Sequence, residues 1–460
     1  MGAFNEAIFL GGGVSRILYL SNAIHLTAVA ALVPFWVSEA RAAGFALREY
    51  GFEAASTSFA GASAQTGSAA FLAYNPASSS GVDAWDAQFT LNAIYPTSDA
   101  VFSLATTTAH TNTGGSSTPG DFIKDAYEPG LAIRLRLDDD WTAGISVSAP
   151  WGLGTRYNKE WAGRYYAVES RLITVNIAPS LAYRVNSELV LSAGAQVQYA
   201  KGTLSNAIDF GTIGLAFGGQ PGLQDGFVEF DADDWAFGYV LGALWQPSAE
   251  VSLGASYRSR LEHNLQGKVD FSLGASGMGA ALSGISGAFV DTSGRTDLTM
   301  PAIASIGGAL ELSPQVTLLA EVGYTQWSEL RELRVKFANP LQPDNVQLYN
   351  WKDTWLGAIG LRYQPTPDWT FRTGIALDES PATDATRDPR IPDANRTWLA
   401  FGIEHKLTER TSLQVGYARL IFPPEPIDLR ATTPGNEVRG NLVGRTDADA
   451  DMISFQLTFR

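Results

Sequence analysis

From about residue 131 to the last residues, apolar and polar side chains alternate with a period of two, which fits half-buried β-strands and no helix. Leu131, Ile133, Leu135 and Leu137 alternate with Ala132, Arg134 and Arg136. After Asp138-Asp139-Asp140 the pattern resumes in Trp141, Ala143, Ile145 and Val147, which makes a hairpin. It recurs at Leu189 to Tyr199, Trp235 to Trp245, Val316 to Tyr324 and Ile453 to Phe459.

The connections are of two kinds. Short turns lie near Asp138 to Asp140, Asn186 to Glu188, Gln246 to Glu250, Ser313 to Gln315, Gln364 to Asp368 and Thr408 to Arg410. Between them run long Gly/Ser/Asp-rich stretches: Lys201 to Gly226, Ser259 to Arg295, Ser328 to Asn350 and Glu379 to Asn395. A soluble β-sandwich would have short turns at both ends and charge on its outer face, yet 45% of this chain is hydrophobic and only 17% charged. The reading is an all-β fold, a transmembrane antiparallel β-barrel of about fourteen strands with periplasmic turns and long extracellular loops. No segment beyond the N-terminal region is apolar over the roughly 20 residues of a membrane helix. A closed barrel crosses without one, because its backbone groups pair between strands. Trp141, Trp245, Trp327, Tyr363 and Trp369 near strand ends suit aromatic girdles. Trp351 and Trp355, four apart, are expected on one face of a strand, also as girdle.

Residues 1–42 read as a secretory signal: the apolar run Ala23 to Val37 follows Arg16 and precedes Ala40-Arg41-Ala42, with cleavage expected before Ala43. The stretch before the run is longer than an ordinary n-region, which leaves a later start codon open. Residues 43–82 are small and apolar, with Phe45, Tyr50, Phe52, Phe59 and Phe71, and they need burial. They read as a hatch packed in the lumen, which in a barrel this wide side chains alone do not fill. Residues 83–460 are then the barrel. In the third strand, Ser148-Ala149-Pro150-Trp151-Gly152-Leu153-Gly154 places a proline and two glycines where ladder pairing should continue, so a break in the wall or the start of a loop is expected there. The stretches Ile208 to Phe227 and Phe271 to Phe289 are unusually apolar for outer loops, and read either as a greasy groove or as a mutually packed lid.

Catalytic and metal chemistry find little support. There is no cysteine, and the four histidines are scattered. A barrel phospholipase would need a Ser/His pair, for which only His405 offers itself. Asp447, Asp449 and Asp451 alternate before the last strand, more in the manner of a polar strand face than of a calcium site. The net charge of -15, without a basic cluster, disfavours nucleic acid. No enzyme activity, cofactor or metal is expected.

With these features in hand, Ala43-Gly44-Phe45-Ala46-Leu47, Asn75-Pro76-Ala77, Trp151 to Asn158, Asp368 to Pro381 and Ile391 to Arg396 with Trp398 resemble the FadL family of outer-membrane transporters for long-chain fatty acids and other hydrophobic compounds. The resemblance implies capture between the two apolar loops, transfer to a pocket lined by Phe45 and Leu47, movement of a hatch shaped by Asn75, Pro76 and Ala77, and passive diffusion through a wall opening at Pro150, Gly152 and Gly154. Partners would be hydrophobic small molecules, outer-membrane lipid and lipopolysaccharide, and the barrel assembly machinery, for which Phe459 is the C-terminal signal. Where fatty-acid members place basic residues near the head group, this chain has Asn206 and Gln347, with Lys201 or Lys336 as substitutes. A buried carboxylate needs a cation, so uptake of neutral hydrocarbons or aromatics stands as the alternative to fatty acids. A general diffusion porin or a surface adhesin are the remaining readings; the Phe-rich hatch argues against the porin.

Overall fold

The computed structural model describes residues 44–460. The expected signal segment 1–42 and its cleavage point lie outside the described residues. Twenty strand segments follow in chain order: β1 (Trp85–Thr106), β2 (Ala126–Arg136), β3 (Trp141–Ser148), β4 (Gly152–Arg156), β5 (Glu169–Arg184), β6 (Leu189–Asp209), β7 (Asp225–Trp245), β8 (Val251–Arg258), β9 (Leu261–Ser272), β10 (Thr292–Met300), β11 (Ile303–Ser313), β12 (Val316–Thr325), β13 (Glu332–Phe337), β14 (Asn345–Leu348), β15 (Thr354–Thr366), β16 (Trp369–Asp378), β17 (Arg396–Thr408), β18 (Thr411–Ile421), β19 (Glu425–Leu429) and β20 (Asn441–Phe459). Among the described residues they form fourteen staves: β3 continues into β4, β8 into β9, β10 into β11 and β18 into β19, while the β13–β14 hairpin rises above the wall. All pairings are antiparallel, and β1 pairs with β20 from Ala87↔Phe459 to Thr106↔Asn441, closing the cylinder.

The six short turns fall where the sequence places them, all at one end. The long loops are shorter than read: β6 runs on to Asp209, β7 begins at Asp225, and β9 and β10 absorb much of Ser259 to Arg295. The alternation fades there because a wall that rises out of the bilayer has no lipid on its outer face, so pairing continues without an apolar face. Lower down, outward residues such as Leu191, Leu241, Val322 and Phe401 are exposed, whereas inward Asn92, Asn176, Gln196 and Gln456 are buried. The barrel thus has a polar interior and an apolar exterior.

Trp141, Trp245, Tyr363 and Trp369 are exposed beside the short turns, and Trp141 packs on Tyr183 at 4.8 Å. Tyr199 with Trp235 and Tyr324 with Trp355 form a second band. Trp235 and Trp245 lie on one strand ten residues apart, which at about 3.3 Å per residue and about 40° tilt is roughly 25 Å, one hydrocarbon core. Trp327 and Trp351 do not belong to either girdle. Both are buried inside, while Trp355 is exposed. Trp327 sits in a short turn and Trp351 precedes β15, so the period-two rule that pairs it with Trp355 does not apply.

Residues 44–84 fill the lumen ahead of β1 with one α-helical turn (Phe52–Ala55) and two 3₁₀ turns (Ala69–Ala73 and Pro76–Ser79). Phe45, Phe52, Phe59 and Phe71 are all 2% exposed or less. The wall accommodates this segment with glycines: a Cβ at Gly374 would strike the Thr57 carbonyl, and one at Gly254 the Ser63 carbonyl. Polar anchors fix it. Arg134 forms a bidentate pair with Asp86, both distances 2.8 Å, and also donates to the carbonyls of Thr66 at 2.5 Å and Ser78 at 2.9 Å. Gly61 N–H donates to the Ala320 carbonyl at 3.1 Å.

Candidate functional site

At the start of the described chain Gly44 has φ +65°, a left-handed conformation that glycine adopts without strain, and its N–H donates to Asp393 at 2.8 Å. This turn aims Phe45 into an aromatic cage, with ring centroids 4.8 Å from Trp327, 5.8 Å from Trp351 and 5.9 Å from Trp151. The contacts with Trp327 and Trp151 are edge-to-face and that with Trp351 is tilted; such contacts are favourable and hold the ring in place.

Trp151 stands at the break in the third stave. β2 pairs with β3 only as far as Leu131↔Val147, so Ala126 to Gly130 keep β1 on one side and have no strand partner on the other. Ala149, Pro150 and Trp151 turn inward and are buried. There the N-terminal segment pairs with them: Leu47 N–H donates to the Pro150 carbonyl at 2.9 Å, and Gly152 N–H to the Phe45 carbonyl at 2.8 Å. A Cβ at 152 would lie 2.8 Å from the end of the Leu47 side chain, so a larger residue there would have to displace it. Higher up the stave resumes as β4, where the Gly154 carbonyl accepts from Lys124 N–H at 3.2 Å. The break is therefore a bounded gap in backbone pairing, faced from the lumen by residues 45–47 and by Tyr50, whose carbonyl lies 3.0 Å from where a Cβ of Gly130 would be.

Above Phe45 lies a largely apolar pocket, walled by Leu153, Leu172, Leu204, Phe230, Leu265, Leu298, Leu330 and Leu333, with Arg171 and Arg390 also lining it. It adjoins a second pocket, which shares Leu204, Phe230 and Leu333 with the first and is also lined by Asn206, Gln347, Arg390 and Arg439. Arg390 belongs to residues 379–395, read from sequence as an extracellular loop. That loop instead folds into the barrel, with Arg387, Asp388, Arg390, Ile391 and Asp393 all buried. Arg390 Nη2 donates to Asn206 Oδ1 at 3.0 Å. Arg439, from residues 430–440, donates to the Gln347 side-chain oxygen, and to Asn345 Oδ1 at 2.6 Å. Burial lowers the pKa of Arg390. Burial, and next the Arg390 charge, lower that of Arg439 to about 10, so it stays protonated at neutral pH. Burial raises the Asp388 carboxyl, opposed by Arg390.

The two apolar outer loops meet each other. Phe210 packs edge-to-face on Phe289 at 5.0 Å, and a helix (Met278–Ser286) closes over the contact. Ile213, Leu215, Phe217 and Ile285 nevertheless remain 46% exposed or more. The loops pack on each other as a lid that still presents exposed apolar side chains.

Of the residues singled out by sequence, Phe45, Asn206 and Gln347 lie at the cavities. Leu47 is buried against the kink at Gly152 rather than on a cavity wall. Lys201 does not reach the site: it points outward from β6, where odd positions face away from the lumen, and pairs with Asp231 at 3.3 Å. Lys336 is exposed on β13. Asn75, Pro76 and Ala77 are remote from the cavities, at the turn end, where the Asn75 side chain accepts from Ala77 N–H and donates to the carbonyls of Ser63 and Ala243. Asp449 and Asp451 pair with Arg419 on the outer face at 2.6 and 2.8 Å, and His405 stacks on Trp369 at 4.1 Å. Arg390 and Arg439 were missed. The only sequence signal for Arg390 is its place beside Ile391-Pro392-Asp393, inside the resembling stretch.

A closed fourteen-stave membrane barrel, with a buried N-terminal segment and an apolar pocket beside a break in its wall, defines a plugged outer-membrane channel for apolar cargo rather than an open pore. The chain belongs to the family described as outer membrane protein transport protein (OMPP1/FadL/TodX), which matches residues 34–460. It is similar to the long-chain fatty acid transport protein of Escherichia coli O6:H1, 28% identical over 413 residues, covering 85% of this chain and 89% of that one. It is also similar to outer membrane protein P1 of Haemophilus influenzae, 25% identical over 410 residues, covering 83% and 86%. Among solved structures, a Pseudomonas aeruginosa FadL homologue superimposes with a TM-score of 0.85 at 23% identity, over 91% of this chain and 99% of that one. The Pseudomonas putida toluene transporter TodX gives 0.66 at 18% identity, over 90% and 99%. At these identities the structures establish the shared fold.

Proposed function

We propose that this protein takes up long-chain fatty acids or similar hydrophobic compounds across the outer membrane, without chemistry on the cargo. The observation that carries this reading is the apolar pocket lying between the greasy outer loops and the bounded gap in the third stave. Cargo partitions from the loops into the cavity because apolar surface leaves water. It departs through the gap once the stretch around Phe45 and Leu47 shifts, and no energy source is coupled. Two backbone hydrogen bonds, each worth about 1 kcal/mol net, hold that stretch to the kink, and the packing of Phe45 against Trp151, Trp327 and Trp351 must be exchanged for contacts with the cargo when it shifts. We also assign Phe459 to recognition by the barrel assembly machinery, and the outward apolar band to contact with outer-membrane lipid and lipopolysaccharide.

The test is uptake of radiolabelled oleate by cells that lack their own long-chain fatty acid transport. The wild-type chain should restore uptake. A Gly152→Val variant, whose side chain collides with Leu47 and disturbs the kink, should lose most of it while still reaching the membrane as a folded barrel. Full uptake by that variant would reject the wall route.

A further inference from the structure

On the outer face of the wall, toward the loop end, three cations stand side by side without a counter-charge. In β9, β10 and β13 the inward positions Leu265, Thr296, Leu298, Leu333 and Phe337 line the pockets. By alternation Lys268, Arg295 and Lys336 point away from the lumen, and all three are exposed. Arg295 and Lys336 are direct cross-strand partners. Lys268 is the partner of Ser293, two positions from Arg295 on the same face. None of the three side chains has an ion pair or hydrogen bond among the described residues.

The carboxylates at adjoining positions of this face are engaged elsewhere. Asp231, opposite Lys268, pairs with Lys201 at 3.3 Å. Asp297, two residues from Arg295, accepts from Asn264 Nδ2 at 2.5 Å. Glu332 and Asp344 hold Arg334, two residues from Lys336, at 2.6 and 3.4 Å. Glu229 and Asp270, which face each other, lie one step nearer the loops. Like charges directly opposite in a ladder destabilise it, so the Arg295 and Lys336 pair is a cost unless an anion from outside the chain offsets it.

The position of the patch specifies the anion. Gln266, the other cross-strand neighbour of Arg295, pairs with Asp233, two residues to the loop side of Trp235 in the upper aromatic band. Below Trp235 the outer face of β7 is apolar, with Phe237, Tyr239 and Leu241 exposed. A molecule lying along this wall meets apolar side chains at one end and cations at the other, as a membrane lipid with an anionic head group does. Inorganic phosphate would use only the upper part. The chain as a whole carries a net charge of -15 and repels polyanions, which leaves a local unpaired patch as the place to hold one. β9 runs into the helix Met278–Ser286 and back down β10, so the patch stands at the foot of one of the two apolar outer loops.

We propose that Lys268, Arg295 and Lys336 form a docking site for the phosphorylated sugar head group of a lipopolysaccharide molecule, whose acyl chains run down the apolar wall beneath. This rests on the assignment of the outer band to lipopolysaccharide contact and names the residues that recognise the partner.

The experiment is native mass spectrometry of the full barrel in mild detergent, titrated with deep-rough lipopolysaccharide and with the same material after dephosphorylation. Wild type should hold the phosphorylated form roughly tenfold or more tightly, on the scale of several exposed cations at an anionic lipid surface, and added salt should shrink the margin. The Lys268→Gln/Arg295→Gln/Lys336→Gln variant should bind both forms alike. Arg410→Gln, which removes an exposed charge at the turn end, should keep the preference. An unchanged denaturation midpoint checks that the triple variant is folded, and the wild-type comparison stands without it. A wild type that binds the two forms equally, a triple variant that keeps the preference, or displacement of the lipid by an equal concentration of inorganic phosphate would overturn the site. Binding of neither form would remove the lipopolysaccharide contact itself, and the site with it, while the oleate uptake assay judges the transport reading independently.

Discussion

Toward the turn end, the lumen holds residues 63–78 by directed polar contacts: Arg134, paired with Asp86, donates to the Thr66 and Ser78 carbonyls, Ser63 N–H donates to Glu321, and Asn75 donates to the Ala243 carbonyl. Toward the loop end, the space above Phe45 is bounded mainly by leucines and phenylalanines, which make no directional bonds, with Arg390 hydrogen-bonded at its edge. Hydrogen bonds and ion pairs in a low-dielectric interior fix one arrangement, because an unmade one is expensive. Apolar contacts are non-directional and tolerate exchange of one partner for another. The contrast separates a seal, which must not leak ions, from a compartment whose occupant has to come and go.

The severest way to break this contrast is to remove one partner of the buried pair at the seal. Asp86→Ala leaves Arg134 uncompensated beside the Thr66 and Ser78 carbonyls, at a cost of about 3–5 kcal/mol. It should lower the denaturation midpoint and raise ion conductance in planar bilayers. Unchanged conductance would mean that the polar anchors do not form the seal. Next in size is Gly374→Val, whose side chain would collide with the Thr57 backbone; overpacking of this kind costs about 1–3 kcal/mol, and the same bilayer assay should register a partly unseated hatch. On the apolar side, Leu333→Ala should cost only about 1 kcal/mol of binding for oleyl alcohol, roughly fivefold, from lost buried methylenes, with conductance unaffected. If it opened the channel to ions, the two regions would not be separable.

The smallest effect concerns pH. Burial raises the pKa of Glu49, opposed by Arg396, and burial likewise raises that of Glu53, opposed by Arg372. A carboxyl with a raised pKa in the seated hatch binds its proton more tightly there than when released. Seating is therefore strengthened as pH falls through that raised value and weakened as pH rises from the ordinary carboxylate range, flattening above it. Protection of the amides of residues 48–56, the intrinsic exchange rate divided by the observed rate at each pH, should rise between pH 8 and pH 5, and Glu49→Gln with Glu53→Gln should flatten the dependence. Lower protection at the lower pH would contradict it.

Much of the architecture was legible because it obeys a local rule. Period-two alternation reports which face meets lipid, so Leu191 and Phe401 declare themselves without knowledge of their neighbours. The six turns follow from the residues that interrupt the pattern. Pro150, Gly152 and Gly154 announced a break, since proline cannot donate to a ladder. The same rule misled at Trp327 and Trp351, which lie outside strands, and fell silent at Lys201 to Gly226, where the wall stands clear of the bilayer.

By itself, then, the sequence determined a closed membrane barrel with a buried N-terminal segment and a wall break, because each of these is written in the polarity and backbone chemistry of neighbouring residues. Only the tertiary structure decided what faces the ligand. The inward fold of residues 379–395, and the meeting of Arg390 with Asn206 and of Arg439 with Gln347, depend on segments up to 184 residues apart. Nothing local distinguishes an arginine on an outer loop from one buried in a lumen. The physical reason is that charge in a protein takes its meaning from the dielectric and the partners around it, and those are assembled only when the barrel closes.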